Sequence, residues 1–340
     1  MNLFLELLQV SLGARDALSR APSAVEWQEV LFEAQRQAIV GVLTSGIERL
    51  PIEQRPEKAF LLEWIGIEQM VKSFGRLNQE RTKELQDIFS EAGYETCVLK
   101  GIAHARYYTE PLRRQCGDID IWTNGRRADV MNWLKSHYVI GHQVWHNVAV
   151  NVFNDVLVEV HFHPAWVYHP IHNWRIQDWF NSQFKEKMVS DEGIRIMPVE
   201  FDIVFSLVHS YRHLLAEGVG LRHVVDYYYI LKNYNERSGY IWNQLHRFGL
   251  RKYAGAMMWV LQNVFGMPSE YLICNPDEKE GLFLLQEIMS AGNFGHQRKG
   301  KPLPVNSFRR YWIMVRHYPS DVLWMIPWKI WHLCWRMCNR

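Results

Sequence analysis

Thr96-Cys97-Val98-Leu99-Lys100-Gly101-Ile102-Ala103-His104, followed by Arg113-Arg114-Gln115-Cys116-Gly117-Asp118-Ile119-Asp120-Ile121-Trp122, is the stretch from which the fold is read. Its first half is a short β-type apolar run that ends in Lys-Gly ahead of a helical segment. Its second half is another β-type run with two aspartates two residues apart. Side chains two apart on a strand share a face, roughly 6.5–7 Å from each other. Asp118 and Asp120 therefore present two carboxylates together, while Ile119 and Ile121 point into a core. Neighbouring carboxylates repel and each favours protonation. A divalent cation removes that repulsion, and Mg²⁺ is commonly held by one or two carboxylates plus substrate phosphates. With 36 acidic residues in 340, an acid-x-acid pair alone says little. The apolar flanks, Gly117, the preceding Arg113 and Arg114 and the upstream Lys-Gly are what single this pair out.

A third carboxylate follows in Val148-Ala149-Val150-Asn151-Val152-Phe153, Asn154-Asp155, Val156-Leu157-Val158-Glu159-Val160-His161-Phe162-His163-Pro164. Two β-branched runs separated by Asn-Asp read as a hairpin. A lone Glu inside such an apolar strand is costly to bury as an ion unless it is paired. Coordination of a cation beside Asp118 and Asp120 meets that cost; an edge strand with Glu159 in solvent is the plain alternative. His161 and His163 alternate with Phe162 and read as structural histidines. Lys100-Gly101 lies where a strand ends and a helix begins, where backbone N–H groups favour anions, glycine allows close approach and lysine adds a point charge.

Leu99-Lys100-Gly101, Arg114-Gln115-Cys116-Gly117-Asp118-Ile119-Asp120, Val158-Glu159-Val160-His161 and the later His209, His213, Leu221-Arg222 and Asp226 occur in an order that resembles the uncharacterised nucleotidyltransferase family of the polymerase-β-like superfamily. The match runs from about residue 80 to residue 235, and Arg-x-x-Gly-Asp-Ile-Asp is its most specific part. The resemblance implies a small mixed sheet with helices, two Mg²⁺ ions, and transfer of a nucleotidyl group from an NTP with loss of pyrophosphate. Asp118, Asp120 and Glu159 carry over as catalytic metal carboxylates. Lys100, Gly101, Arg114, Gly117, His209, His213, Arg222 and Asp226 carry over to the nucleotide side, with Asp226 holding Arg222. One departure stands out. The wider superfamily places a Gly-Ser pair closer to the aspartates, whereas Gly101 is 17 residues before Asp118 and follows a lysine.

The fold class expected is α+β: a nucleotidyltransferase-like core over 93–199, between an N-terminal helical region (1–92) and a C-terminal helical region (200–340). Ser23 with Glu26 reads as a capping box opening a helix at Trp27. A long helix is expected from Glu57 through Phe89 with a break near Gly75, and 164–192 reads as an irregular connector. Arg113 is expected at the surface or beside a ribose. His209 and His213 share a helix face, and without a Glu after His209 they do not form a metalloprotease motif. Ala291 to Pro304, rich in Gly, Lys and Arg, reads as a mobile loop. The tail from Ser307 is a basic, Trp-rich amphipathic segment suited to a membrane surface or a protein partner.

The net charge of +2 gives no electrostatic footprint for nucleic acid. Five scattered Cys and no signal-peptide pattern fit a cytoplasmic protein. The function expected is thus an Mg²⁺-dependent nucleotidyltransferase, a phosphorus-group transferase. Its partners are an NTP and a hydroxyl acceptor of unknown identity (sugar, small molecule, protein or RNA). The alternative is a non-catalytic module of the same fold that docks through its tail.

Overall fold

The computed structural model describes residues 2–235, 239–291 and 304–338. The basic glycine-rich stretch between Ala291 and Pro304 lies, but for its end residues, outside the described residues. The chain opens with helices α1 (Leu3–Leu12), α2 (Ala24–Arg36) and α3 (Val40–Arg49). The capping box at α2 forms as its sequence dictates: Ser23 accepts from the Glu26 backbone, and the Glu26 side chain accepts from the Ser23 backbone. Helix α4 (Lys58–Glu91) then runs unbroken for 34 residues. The break expected at Gly75 is absent because a helical glycine costs only about 1 kcal/mol, and the position faces Leu112. A Cβ on Gly75 would meet Leu112 at 3.4 Å.

The core follows as β1 (Thr96–Val98), α5 (Ile102–Ala105), β2 (Ile119–Thr123), α6 (Arg127–His137), β3 (Val139–Gln143), β4 (Asn147–Asn151) and β5 (Val158–His161). Helix α7 (Pro170–Gln183) and the short strands β6 (Met188–Val189) and β7 (Arg195–Ile196) come next. The strands form one mixed sheet in the order β3-β4-β5-β2-β1-β7-β6. Strands β4 and β5 make the expected antiparallel hairpin, and β5 lies parallel to β2. The irregular connector expected over 164–192 is instead largely α7. Pro170 starts it, since proline's fixed φ suits the first helical turn, and Ile176, Trp179 and Phe180 bury its inner face.

Alternation along β2 decides which face does what. Ile119 and Ile121 join Val98, Val158 and Val160 in a core with Leu85 and Phe89 of α4 and Val130 and Leu134 of α6. Asp120 and Trp122 point the other way. There Trp122 packs on Phe184 and stacks on Phe201 at 5.7 Å, which belongs to α8 (Val199–Ala216). Helices α9 (Leu221–Lys232), α10 (Tyr240–Arg247), α11 (Arg251–Asn263) and α12 (Glu278–Ala291) continue this helical side and share one hydrophobic core with α1–α3. The chain ends in α13 (Pro304–His317), α14 (Pro319–Val322) and α15 (Met325–Cys338). No helix among the described residues is long and apolar enough to cross a membrane.

Candidate active site

The parallel register of β2 and β5 sets Asp120 directly opposite Glu159, and Trp122 opposite His161. Neighbouring strands lie about 4.8 Å apart, so two carboxylates more than thirty residues apart in sequence become neighbours on one face. His161 Nε2 lies 2.9 Å from Asp120 Oδ1 and 3.5 Å from Glu159 Oε2. Asn147, paired with His161 across the hairpin, donates its side-chain N–H to Glu159 at 2.6 Å. Lys100 Nζ, just past the end of β1, lies 3.1 Å from Asp120 Oδ2. The turn that aims it closes at Gly101, whose φ of +65° and ψ of −119° suit glycine alone.

Of the expected metal carboxylates, Asp120 and Glu159 come together with His161. Among the described residues, the group whose ligand atoms all fall within 4.8 Å of one another is Asp120, Glu159 and His161. Asp118 is half-buried beside it, near enough to favour the charge of Lys100 and oppose that of Glu159. His161, read from sequence as structural, is thus part of the site. Its signal was the spacing: two residues past Glu159 on a strand means the same face.

Two cations, Lys100 and His161, lie against these carboxylates. Burial opposes the Lys100 charge, but Asp118, Asp120 and Glu159 push its pKa above that of an ordinary lysine. Burial likewise opposes the His161 charge, yet Asp120 and Glu159 raise its pKa to about 9. Burial pushes Glu159 up, and His161 and Lys100 more than offset it, so its pKa is lowered. Asp120 Oδ2 is wholly buried and, despite the ammonium 3.1 Å away, receives no properly directed hydrogen bond.

The residues expected on the nucleotide side divide into two groups. His209 and His213 share a face of α8 with ring centroids 4.5 Å apart, and His223 of α9, which the sequence did not single out, completes a triangle at 6.0 and 5.8 Å. Burial lowers the pKa of all three below that of ordinary histidine, each also feeling Lys100, so this wall is neutral imidazole. Glu217 accepts from His213 Nδ1 at 2.9 Å. Arg222 donates to the Gln115 carbonyl at 3.1 Å, tying α9 to the aspartate motif. Gly117, inside that motif, accepts from Asn78 of α4.

Arg114 and Asp226 form the second group, and here the structure corrects the expectation. Arg114 is buried and pairs bidentately with Asp226 at 2.7 and 2.8 Å. Tyr108 donates to the same carboxylate, and His104 lies 3.7 Å away. The sequence pattern assigned Asp226 to Arg222, one helical turn away. The long Arg114 side chain reaches it with a fork that matches a carboxylate's two oxygens, and its charge is matched inside the protein. Arg113 is also corrected. Rather than lying at the surface, it is buried between Glu68, at 2.7 Å, and Glu48, at 2.8 Å.

The histidines make stability depend on pH with a definite sign. Burial lowers His163 and His172 to about 4 and His146, His209 and His223 well below their usual value. These groups stay neutral when folded, while the unfolded chain takes up protons near pH 6.5. Their contribution is therefore complete above that pH and lost as pH falls toward 4; His161 acts in the opposite sense. Urea midpoints at pH 7.5 and pH 5 should show a loss of stability, with about 2 kcal/mol from His163 alone. An unchanged midpoint would contradict the burial.

No curated protein matches the chain. Among solved structures, an antigenic nucleotidyltransferase-like protein from Paracoccidioides brasiliensis is similar at 12% identity and a TM-score of 0.40, over 59% of this chain and 94% of that one. The family model of the uncharacterised nucleotidyltransferases matches residues 23–266, where the strand register has just set the Gly-Asp-Ile-Asp carboxylates beside Glu159, and the chain belongs to that family.

Proposed function

We propose that this chain moves a nucleotidyl group from an NTP to a hydroxyl acceptor, with Mg²⁺ held at the Asp118–Asp120–Glu159 edge and pyrophosphate released. The observation that carries the reading is the pairing of Asp120 with Glu159 in parallel register, with Lys100 against the same carboxylate. The residues fit a hard divalent cation. They offer carboxylate oxygens on one face and a buried Asp120 Oδ2 without a directed donor. Two ions, as the family resemblance implies, would be held by Asp118, Asp120 and Glu159. Bound there, Mg²⁺ supplies charge neutralisation at the phosphates and lowers the pKa of the acceptor hydroxyl.

The protein's own groups do the rest. Lys100 lies against Asp120 and places a positive charge at the phosphate side of the edge. The Gly101 turn leaves backbone open to a close approach, and Arg222 brings a guanidinium beside the Gln115–Asp118 segment. His209 and His213 offer neutral ring nitrogens to phosphate or base. In the transfer, the acceptor oxygen bonds to the α-phosphorus as the bond to pyrophosphate breaks, and the hydroxyl proton leaves to a carboxylate or solvent. With its pKa held down, Glu159 suits the role of ligand better than that of proton store. Arg114 acts on this chemistry only by positioning the motif.

Each α-labelled NTP, incubated with the protein, Mg²⁺ and a cell extract, should label one acceptor class in a chelator-sensitive way. The labelled fraction reports whether it is sugar, small molecule, protein or RNA. Absence of label with every NTP, together with no NTP binding by calorimetry, would refute the transfer reaction.

A further inference from the structure

From Asn293 to Arg340 the sequence holds nine Lys or Arg against a single acidic residue, Asp321, whereas the whole chain carries 38 against 36. Asp321 is buried, where it accepts from the His169 backbone and the Tyr211 hydroxyl, so it does not offset this charge at the surface. Helix α15 is exposed along most of its length, and Met325 is its only buried residue. Its inner stripe is held by aromatic stacking: Trp328 lies 4.1 Å from Trp166, nearly parallel, and His332 stacks on Trp328. Arg127 covers the Trp335 ring at 5.0 Å.

The other side of α15 has no cover among the described residues. Ile326, Ile330, Leu333 and Met337 recur at i, i+4, i+7 and i+11, one continuous stripe, and are 54 to 66% exposed. Leu323 and Trp324 just before the helix are exposed too, and Trp331, at its margin, is partly exposed while contacting Trp145 and Trp328. Lys329 and Arg336 are exposed along its flank, and 322–340 contains no acidic residue. A helix with an outward apolar face, tryptophans at its margins and only cations beside them matches the boundary between acyl chains and acidic headgroups. Nucleic acid would instead favour rings along the outward face, whereas the residues on that face of α15, Ile326, Ile330, Leu333 and Met337, are all aliphatic.

We propose that α15 docks this protein on an anionic membrane surface. Ile326, Ile330, Leu333 and Met337 enter the acyl boundary, while Lys329 and Arg336 meet the headgroups. The docking face also lies close behind the catalytic edge. Trp328 stacks on Trp166, Trp166 contacts His146 at 5.7 Å, and His146 lies 6.2 Å from His161, the partner of Asp120. A surface-bound molecule would thus hold its site near the lipid.

The test uses the full chain in vesicle flotation, which reads no catalysis and so stands apart from the transfer reaction. Vesicles of phosphatidylcholine with about 30% phosphatidylserine should bind it roughly tenfold or more better than phosphatidylcholine alone, since each basic residue near such a surface adds attraction. Lys329→Glu with Arg336→Glu should abolish that preference. Ile330→Glu or Leu333→Glu should weaken binding more than about tenfold, with melting unchanged because both positions are exposed. In the wild type, alkylation of the exposed Cys334 and Cys338 should slow on adding anionic vesicles. Equal or absent binding to both vesicles, or unprotected Cys334 and Cys338, would overturn the proposal. So would RNA binding or self-association lost in Leu333→Glu while vesicle binding persists.

Discussion

Asp120→Asn should lower nucleotidyl transfer by roughly a thousandfold or more while leaving a folded protein. Asp120 is the one carboxylate that touches both internal cations, Lys100 at 3.1 Å and His161 at 2.9 Å. It is also one of the three ligand residues within reach of one another. Asparagine keeps the shape and an acceptor oxygen for His161 but removes the charge a divalent cation needs. The stability cost should be about 1.5–3 kcal/mol, that of one charge-assisted hydrogen bond, because Glu159 still faces both cations. Label transfer, the melting temperature and Mg²⁺ titration of NTP binding together check this. Asp118→Asn, at a half-buried position outside the 4.8 Å group, should lose activity with less change in stability. Retained transfer in Asp120→Asn would remove the metal assignment.

Arg114→Met should act differently, and mainly on stability. It leaves the buried Asp226 carboxylate without its bidentate partner, a change costing about 3–5 kcal/mol, or a melting temperature lower by on the order of 10 °C. Burial alone would raise the Asp226 pKa, but Arg114 and His104 hold it well below the usual carboxylate range. Its stabilisation is therefore present at neutral pH and lost as pH falls through that depressed value. Adding Asp226→Leu to Arg114→Met should recover part of the loss, since a buried pair replaced on both sides often costs little. If Arg114 instead met the triphosphate, Arg114→Met would raise the KM for NTP at unchanged melting temperature.

The carboxylate edge was legible in the sequence because a strand's period of two leaves no freedom. Once Ile119 and Ile121 are core, Asp120 must face the other way, while Asp118 falls one residue before the strand begins. The Asn-Asp turn predicted the hairpin for the same local reason. What pairs with what was not legible, since ion pairs across the fold depend on tertiary distances. Asp226 had Arg222 one helical turn away and took Arg114 from 112 residues upstream. His161 was set aside because a histidine two residues past a glutamate means little until β2 is known to lie alongside. Helix α7 escaped because its buried face is Trp and Phe set among His and Asn, a pattern weak in hydrophobic contrast. Gly75 misled in the other direction: read as a break, it is a contact point.

The arrangement of the core has a consequence for how the molecule is made. Helix α1 precedes in the chain much of what covers it: Gln9 donates to the carbonyl of Val264, 255 residues later, and Gln37 bonds the backbone of Leu221 and Ile288. Leu7, Leu8 and Val10, all fully buried in the finished protein, have no such cover while the middle of the chain is still being synthesised. Long-separation contacts of this kind slow folding and leave apolar surface open to aggregation. Yield on expression should therefore depend more on translation speed and chaperone supply than on the stability of the completed fold.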